Sequence, residues 1–276
     1  MHRQLIIQLV ALIFLCVCFP FAALNLRELP RVGVSVEMQV ALPRTLQVAM
    51  AGGDRYLAAN VAAFRALVVS TANMRPEDYP VLGKVQSDAA WFNPAHEDNY
   101  YLAAAILPWN GELASAQMIL SRAAEARPFD YQPAFYYAFN LLYFGKDPLG
   151  ATRVLLQAAK NSSRLQNQLL LESMAARWVG HNDDLTVSID VLRSMIQNAR
   201  YKGLRDYLAL RLQRIEKLQD LRIQADVYAR LRGVRARTLD DLQAAGLIKE
   251  IPTDPFGQVY LINDGGVPVL ADKKRQ

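Results

Sequence analysis

The sequence predicts a mainly α protein: a helical-repeat body, preceded by one N-terminal transmembrane helix and followed by a small C-terminal α+β hairpin module. Three observations carry this expectation. Residues 5–26, "LIIQLVALIFLCVCFPFAALNL", form an uncharged run of 22 positions. Alanine and proline recur 34 residues apart through the middle of the chain. Near the end, "IPTDPFGQVYLINDGG" alternates turn residues with a strand-like run. The corresponding units are 1–26 (membrane anchor), 27–53 (juxtamembrane segment with a candidate strand), 54–234 (helical repeats) and 235–276 (helix-turn-hairpin module).

The anchor comes first because length decides it. A bilayer core takes about 20 apolar residues in a helix, which the run supplies. A cleavable signal peptide would need small residues at −3 and −1. Cutting after Ala23 places Phe21 at −3, and cutting after Ala22 places Pro20 there. A short tail with Arg3 before the run is a signal-anchor layout and puts the body outside the cytoplasm, in a bacterial periplasm. A strict count of flanking cations, with Arg27, Arg31 and Arg44 after the run, points the other way, although long domains translocate largely regardless of charge. Both cysteines, Cys16 and Cys18, lie inside the run, so the body has no disulfide framework, thiol nucleophile or cysteine metal site. Strict alternation of Val32, Val34, Val36, Met38, Val40 and Leu42 in residues 31–42 reads as a strand or an extended arm.

The body is periodic. Ala89 and Ala123, and Pro94 and Pro128, stand 34 residues apart, and Ala158 follows Ala123 by 35. In residues 97–130, Tyr100 begins one helix and Gly111 marks a turn; Ala116, Leu120 and Ala123 lie on a second helix, which ends at Pro128. Phe135, Gly145, Ala151, Leu155 and Ala158 repeat the pattern. Residues 54–94 supply an earlier helix pair and 166–200 a degenerate later one, with a turn at Gly180.

On these residues the chain resembles the tetratricopeptide repeat, and more narrowly a group of bacterial membrane-anchored repeat proteins of unassigned function. The resemblance covers about 150 residues of the chain. It implies a right-handed, TPR-like solenoid whose concave groove, lined by the first helix of each pair, binds a protein or peptide. Carried onto this chain, the groove positions are Asp98, Tyr101, Trp109, Tyr136, Asn140, Tyr143, Arg177 and Trp178. Two readings stand for their aromatics: rigid anchors for a partner, or packing between repeats.

Residues 204–231 lack Pro and Gly and read as one long helix. Leu208, Leu212, Ile215, Leu218, Ala225 and Tyr228 form its apolar stripe, and Arg211, Arg214, Lys217 and Arg222 gather on another face. The net charge of +5 is concentrated around this helix. Its basic face reads either as a contact for anionic lipid or an acidic partner, or as the solvated side of a capping helix. No aromatic–basic interleaving accompanies the charge, which argues against nucleic acid.

Asp254, Pro255, Phe256 and Gly257 fit a type I turn. Residues 258–262 then read as a strand, residues 263–266 as a hairpin turn, and an upstream helix is N-capped by Thr238 and stopped at Gly246. With Leu239, Leu242, Gly246, Ile248, Pro252 and Tyr260, this segment resembles the C-terminal part of type II secretion pseudopilins. That family's calcium site does not map onto this chain, and no pilin-type cleavage motif precedes the apolar run.

His2, His96 and His181 have no second histidine at metal spacing, and HExxH, GxSxG, GxGxxG and Walker motifs are absent from the sequence. The expectation is therefore a protein without catalytic residues, cofactor or metal: a membrane-tethered scaffold for a protein or peptide in envelope or secretion-machinery assembly. The alternatives are a structural component of a pilus-like or type II secretion apparatus, and an accessory subunit of a membrane enzyme.

Overall fold

The computed structural model describes residues 14, 40–69 and 74–271. Apart from Phe14, the anchor at 5–26 lies outside the described residues. So does the candidate strand at 31–42, except residues 40–42, which are irregular. Among the described residues no helix is long and apolar enough to cross a membrane. The described chain is mainly helical, with one small antiparallel sheet.

In order, the helices are α1 (Arg44–Met50), α2 (Arg55–Leu67), α3 (Tyr79–Phe92), α4 (Glu97–Ile106), α5 (Leu113–Ala126), α6 (Tyr131–Tyr143), α7 (Pro148–Asn161), α8 (Leu165–Trp178), α9 (Leu185–Asn198), α10 (Lys202–Arg232) and α11 (Leu239–Ala244). The strands β1 (Val259–Ile262) and β2 (Pro268–Ala271) follow.

Short oxygen-bearing side chains start many of these helices, because each N-terminus leaves backbone N–H groups without intrahelical acceptors. Asp54 accepts from the amides of Tyr56 and Leu57 at 2.8 and 3.2 Å. Asp130 caps α6 through the Gln132 amide at 3.1 Å, and Asp147 caps α7 through Gly150 at 2.7 Å. Asp184 does the same for α9, accepting from Thr186 at 2.9 Å.

Consecutive helices pack on one another from α2 to α8, and α9 packs on α10. Small residues set how closely they approach, since the distance between helix axes depends on the side chains at the contact. Ala116, Leu120 and Ala123 on α5 are wholly buried, as are Ala151 and Leu155 on α7, with Ala158 nearly so. The turn between α4 and α5 passes through Gly111 at φ +85°, a left-handed conformation that glycine adopts without steric cost.

Two hydrophobic cores meet at α6. One joins α2 to α5, with Tyr136 and Tyr137 of α6 packed against it. The other runs from Ala138 of α6 through α10 to Tyr260 of β1. The C-terminal module therefore shares its core with the helices and does not form a separate one.

Polar ties fasten the seams. Arg127 donates through Nε to Asp130 at 2.9 Å and through Nη2 to Glu97 at 2.9 Å, and the Tyr100 hydroxyl donates to the same Asp130 carboxylate at 3.0 Å. This network locks α4 to the start of α6. The short helix α1, unforeseen from its sequence, is held on α3 by a wholly buried carboxylate, Asp88. Arg44 Nε and Gln47 Nε2 reach Asp88 at 2.6 and 3.0 Å, and Lys84 joins it.

Candidate functional site

The eight groove positions separate into buried and exposed sets. Trp178 and Asn140 are buried, and Asn140 donates to Gln117 Oε1 at 3.3 Å. Tyr101 is half-buried, edge-on to Tyr136 at 5.9 Å between ring centroids, with its hydroxyl bonded to Gln132. Tyr136 continues through Phe135, whose ring lies 6.0 Å from Trp178. These rings join alternate helices, α4 to α6 and α6 to α8. Asp98 and Arg177 are exposed at opposite ends of their helices, α4 and α8.

Trp109 and Tyr143 differ. They are 56 % and 49 % exposed. Trp109 stands in the turn after α4, and Tyr143 ends α6, so both lie where a first helix of a pair gives way to its loop. Their rings are 5.5 Å apart, Phe144 meets Trp109 edge-on at 5.0 Å, and Tyr143 stacks on Phe139 at 5.5 Å and 7°. Lys146 Nζ lies 5.4 Å from the Tyr143 ring centroid. The result is an aromatic edge with one cation, already ordered by ring-on-ring contact.

The basic face of α10 is engaged within the chain. Arg214 is buried and grips the wholly buried Asp254 carboxylate with two nitrogens, Nε at 2.6 Å and Nη2 on the other oxygen. Asp254 also accepts from the amides of Phe256 and Gln258 at 3.1 and 2.9 Å. Burial alone would raise this carboxyl; the guanidinium and the two amides outweigh it and hold the group below the usual carboxylate range.

Arg211 and Arg214 each place their guanidinium carbon 4.5 Å from the Phe256 ring centroid. Lys217 donates to the Thr253 carbonyl at 3.2 Å. Arg222 donates to the carbonyls of Pro268 and Asp183 at 3.2 and 3.1 Å. The Tyr260 hydroxyl donates to the Arg214 carbonyl at 3.2 Å, and burial, helped by the Asp254 charge, pushes its pKa up to about 12. For Arg214 this corrects the lipid or external-partner reading: a guanidinium buried in a two-point ion pair cannot reach a membrane. Arg211, Lys217 and Arg222 are half-buried on the same module. The acidic partner of Arg214 is Asp254 of its own chain.

No protein-family model, curated protein or solved structure matches this chain.

Sequence reasoning also missed a cavity of about 730 Å³ between α7 and α9, floored by α8 and the start of α10. Leu149, Leu156, Val191, Met195 and Leu204 give it an apolar lining, and Arg153, Lys160 and Arg200 bring three cations. Its one acid, Glu172, is raised by burial, an effect that the nearby Arg200 charge partly offsets. Residues from four helices converge here, so no local motif marks it. Among the described residues, no cluster of three or more His, Cys, Asp or Glu side chains could hold a metal ion. His96 serves as the N-cap of α4, its Nδ1 accepting from the Asn99 amide at 3.4 Å.

Proposed function

We propose that this protein is a non-enzymatic, membrane-tethered scaffold of tetratricopeptide-like helix pairs that engages a protein or peptide partner through its aromatic edge. The observation that carries the reading is the exposure of Trp109 beside Tyr143 and Phe144. Large rings held in place lose little conformational entropy on binding, and exposed Trp and Tyr dominate interface energetics where they occur. The repeated Ala/Leu/Ala positions on α5 and α7 and the ordered packing of helix on helix support a stacked-repeat body with an extended binding surface. The uncharged run at 5–26 supports the tether, and the short basic tail before it supports a bacterial inner-membrane protein with a periplasmic body.

The test is photocrosslinking in membranes from a phenyl-azide side chain placed at position 146, beside the edge. The partner trapped there should be lost when Trp109→Ala and Tyr143→Ala are combined. Each truncation of a central aromatic anchor costs about 2 kcal/mol, roughly thirtyfold in affinity. The interior change Tyr101→Phe should leave it in place. Retention of the same partner by the double variant refutes the edge as the binding surface. A periplasm-dependent reporter fused after Gln276 that stays inactive refutes the topology.

A further inference from the structure

The cavity between α7 and α9 shares no residue with the aromatic edge. On α7, Leu149 and Leu156 are seven residues apart and so lie on one face, as do Arg153 and Lys160 nearer the rim. Two turns separate members of each pair, so the cavity runs at least about 10 Å along the helix. Val187, Val191 and Met195, at intervals of four, form the facing wall on α9. Arg200 enters at the end of that wall. Three cations against the single acid Glu172 leave the rim positive, and Arg153 and Lys160 have no hydrogen bond or ion pair among the described residues.

The size of the space selects the kind of occupant. A volume of about 730 Å³ falls within the range of pockets that enclose a small ligand, about 300–1,000 Å³. A three-turn helix about 10 Å across and 15 Å long displaces roughly 1,200 Å³, so a helical peptide would rest on the mouth. The walls are helices, whose backbone groups are already paired, so an extended peptide finds no strand edge to join. What remains is an apolar chain with a negative head.

We propose that this cavity binds a single-chain anionic amphiphile. Its hydrocarbon lies along Leu149, Leu156, Val191 and Met195, and its carboxylate or phosphate head meets Arg153, Lys160 and Arg200. Guanidinium forks suit both heads, since each presents paired oxygens.

The full chain, reconstituted in lipid nanodiscs and labelled with 13C at its methionine methyls, provides a local readout because Met195 lines the cavity. Met195→Leu assigns the signal. Decanoate or decyl phosphate should shift it saturably, and the tighter of the two identifies the preferred head. Decyltrimethylammonium should bind at least tenfold more weakly. Combining Arg153→Gln and Arg200→Gln, both at exposed positions, should weaken the anion about tenfold. Val191→Trp should abolish the shift, while Trp109→Ala should leave it unchanged. The proposal is overturned if neither anion gives a saturable shift or if the cation binds as well. It is also overturned if all methionine methyls shift together as they would on lipid partitioning, if the Arg153/Arg200 variant binds undiminished, or if only an acidic peptide moves the signal.

Discussion

Arg214→Met tests how the C-terminal module is held. The substitution keeps most of the side chain's length and removes the guanidinium. Asp254, wholly buried, would then retain only the Phe256 and Gln258 amides as partners. Breaking one side of a buried ion pair costs about 3–5 kcal/mol, because the remaining charge is left uncompensated. The module would open before the helices do, so the loss should register locally. Hydrogen exchange of the β1 amides should accelerate by about two to three and a half orders of magnitude, at 1.4 kcal/mol per decade. Adding Asp254→Asn to Arg214→Met removes the stranded charge and should recover part of the protection, as coupling between contacting residues requires. Wild-type exchange in the single variant would refute the clamp. A double variant as loose as the sum of its two single changes would show that the two side chains do not act as a pair.

Two further expectations concern pH and packing. The Asp254 carboxyl is depressed in the folded chain, so its contribution is present above the unfolded carboxylate pKa of about 3.9 and is lost as pH falls through the folded value. Protection of β1 should thus hold at neutral pH and fall only below about pH 4, with Asp254→Asn flattening the profile; a loss already near pH 6 would contradict it. Ala123→Leu should overfill the contact that wholly buried Ala123 permits, costing about 1–3 kcal/mol. In a chain of this size that lowers the melting temperature by roughly 2–12 °C. Exposed Ala126→Leu on the same helix should leave the melting temperature within about 2 °C of wild type.

What the sequence conveyed about the fold was local. Gly111 and Gly145 and the alanines around them mark helix boundaries at short range, and the helices lie close to where these residues place them. The turn Asp254–Gly257 was legible for the same reason. Its carboxylate has a second role, gripping Arg214 some 40 residues earlier, and that depends on the fold. The signal was nevertheless present. Asp254 is the sole charge in residues 251–262, and Arg214 sits four residues before Leu218 and seven before Leu221, on the buried stripe of α10. A cation buried at such a position needs an anion beside it. Helix α1 has no buried residues of its own; its link to Asp88 is likewise invisible in its sequence. The groove positions mix because their local settings differ: Trp178 ends α8 with its ring packed inward, while Trp109 stands in the turn after α4 and faces outward.

The clamp also has a consequence for the order in which the protein is made. Helix α10 is synthesised before residues 251–271, so Arg214 and the apolar residues Leu218, Leu221 and Ala225 emerge before the strands that cover them. A nascent chain halted between Arg232 and Asp254 carries an unneutralised guanidinium inside a half-built core, together with an uncovered apolar seam. Arrival of Asp254 neutralises the guanidinium and the strands that follow it cover the seam, so the packing of α10 waits on residues 251–271.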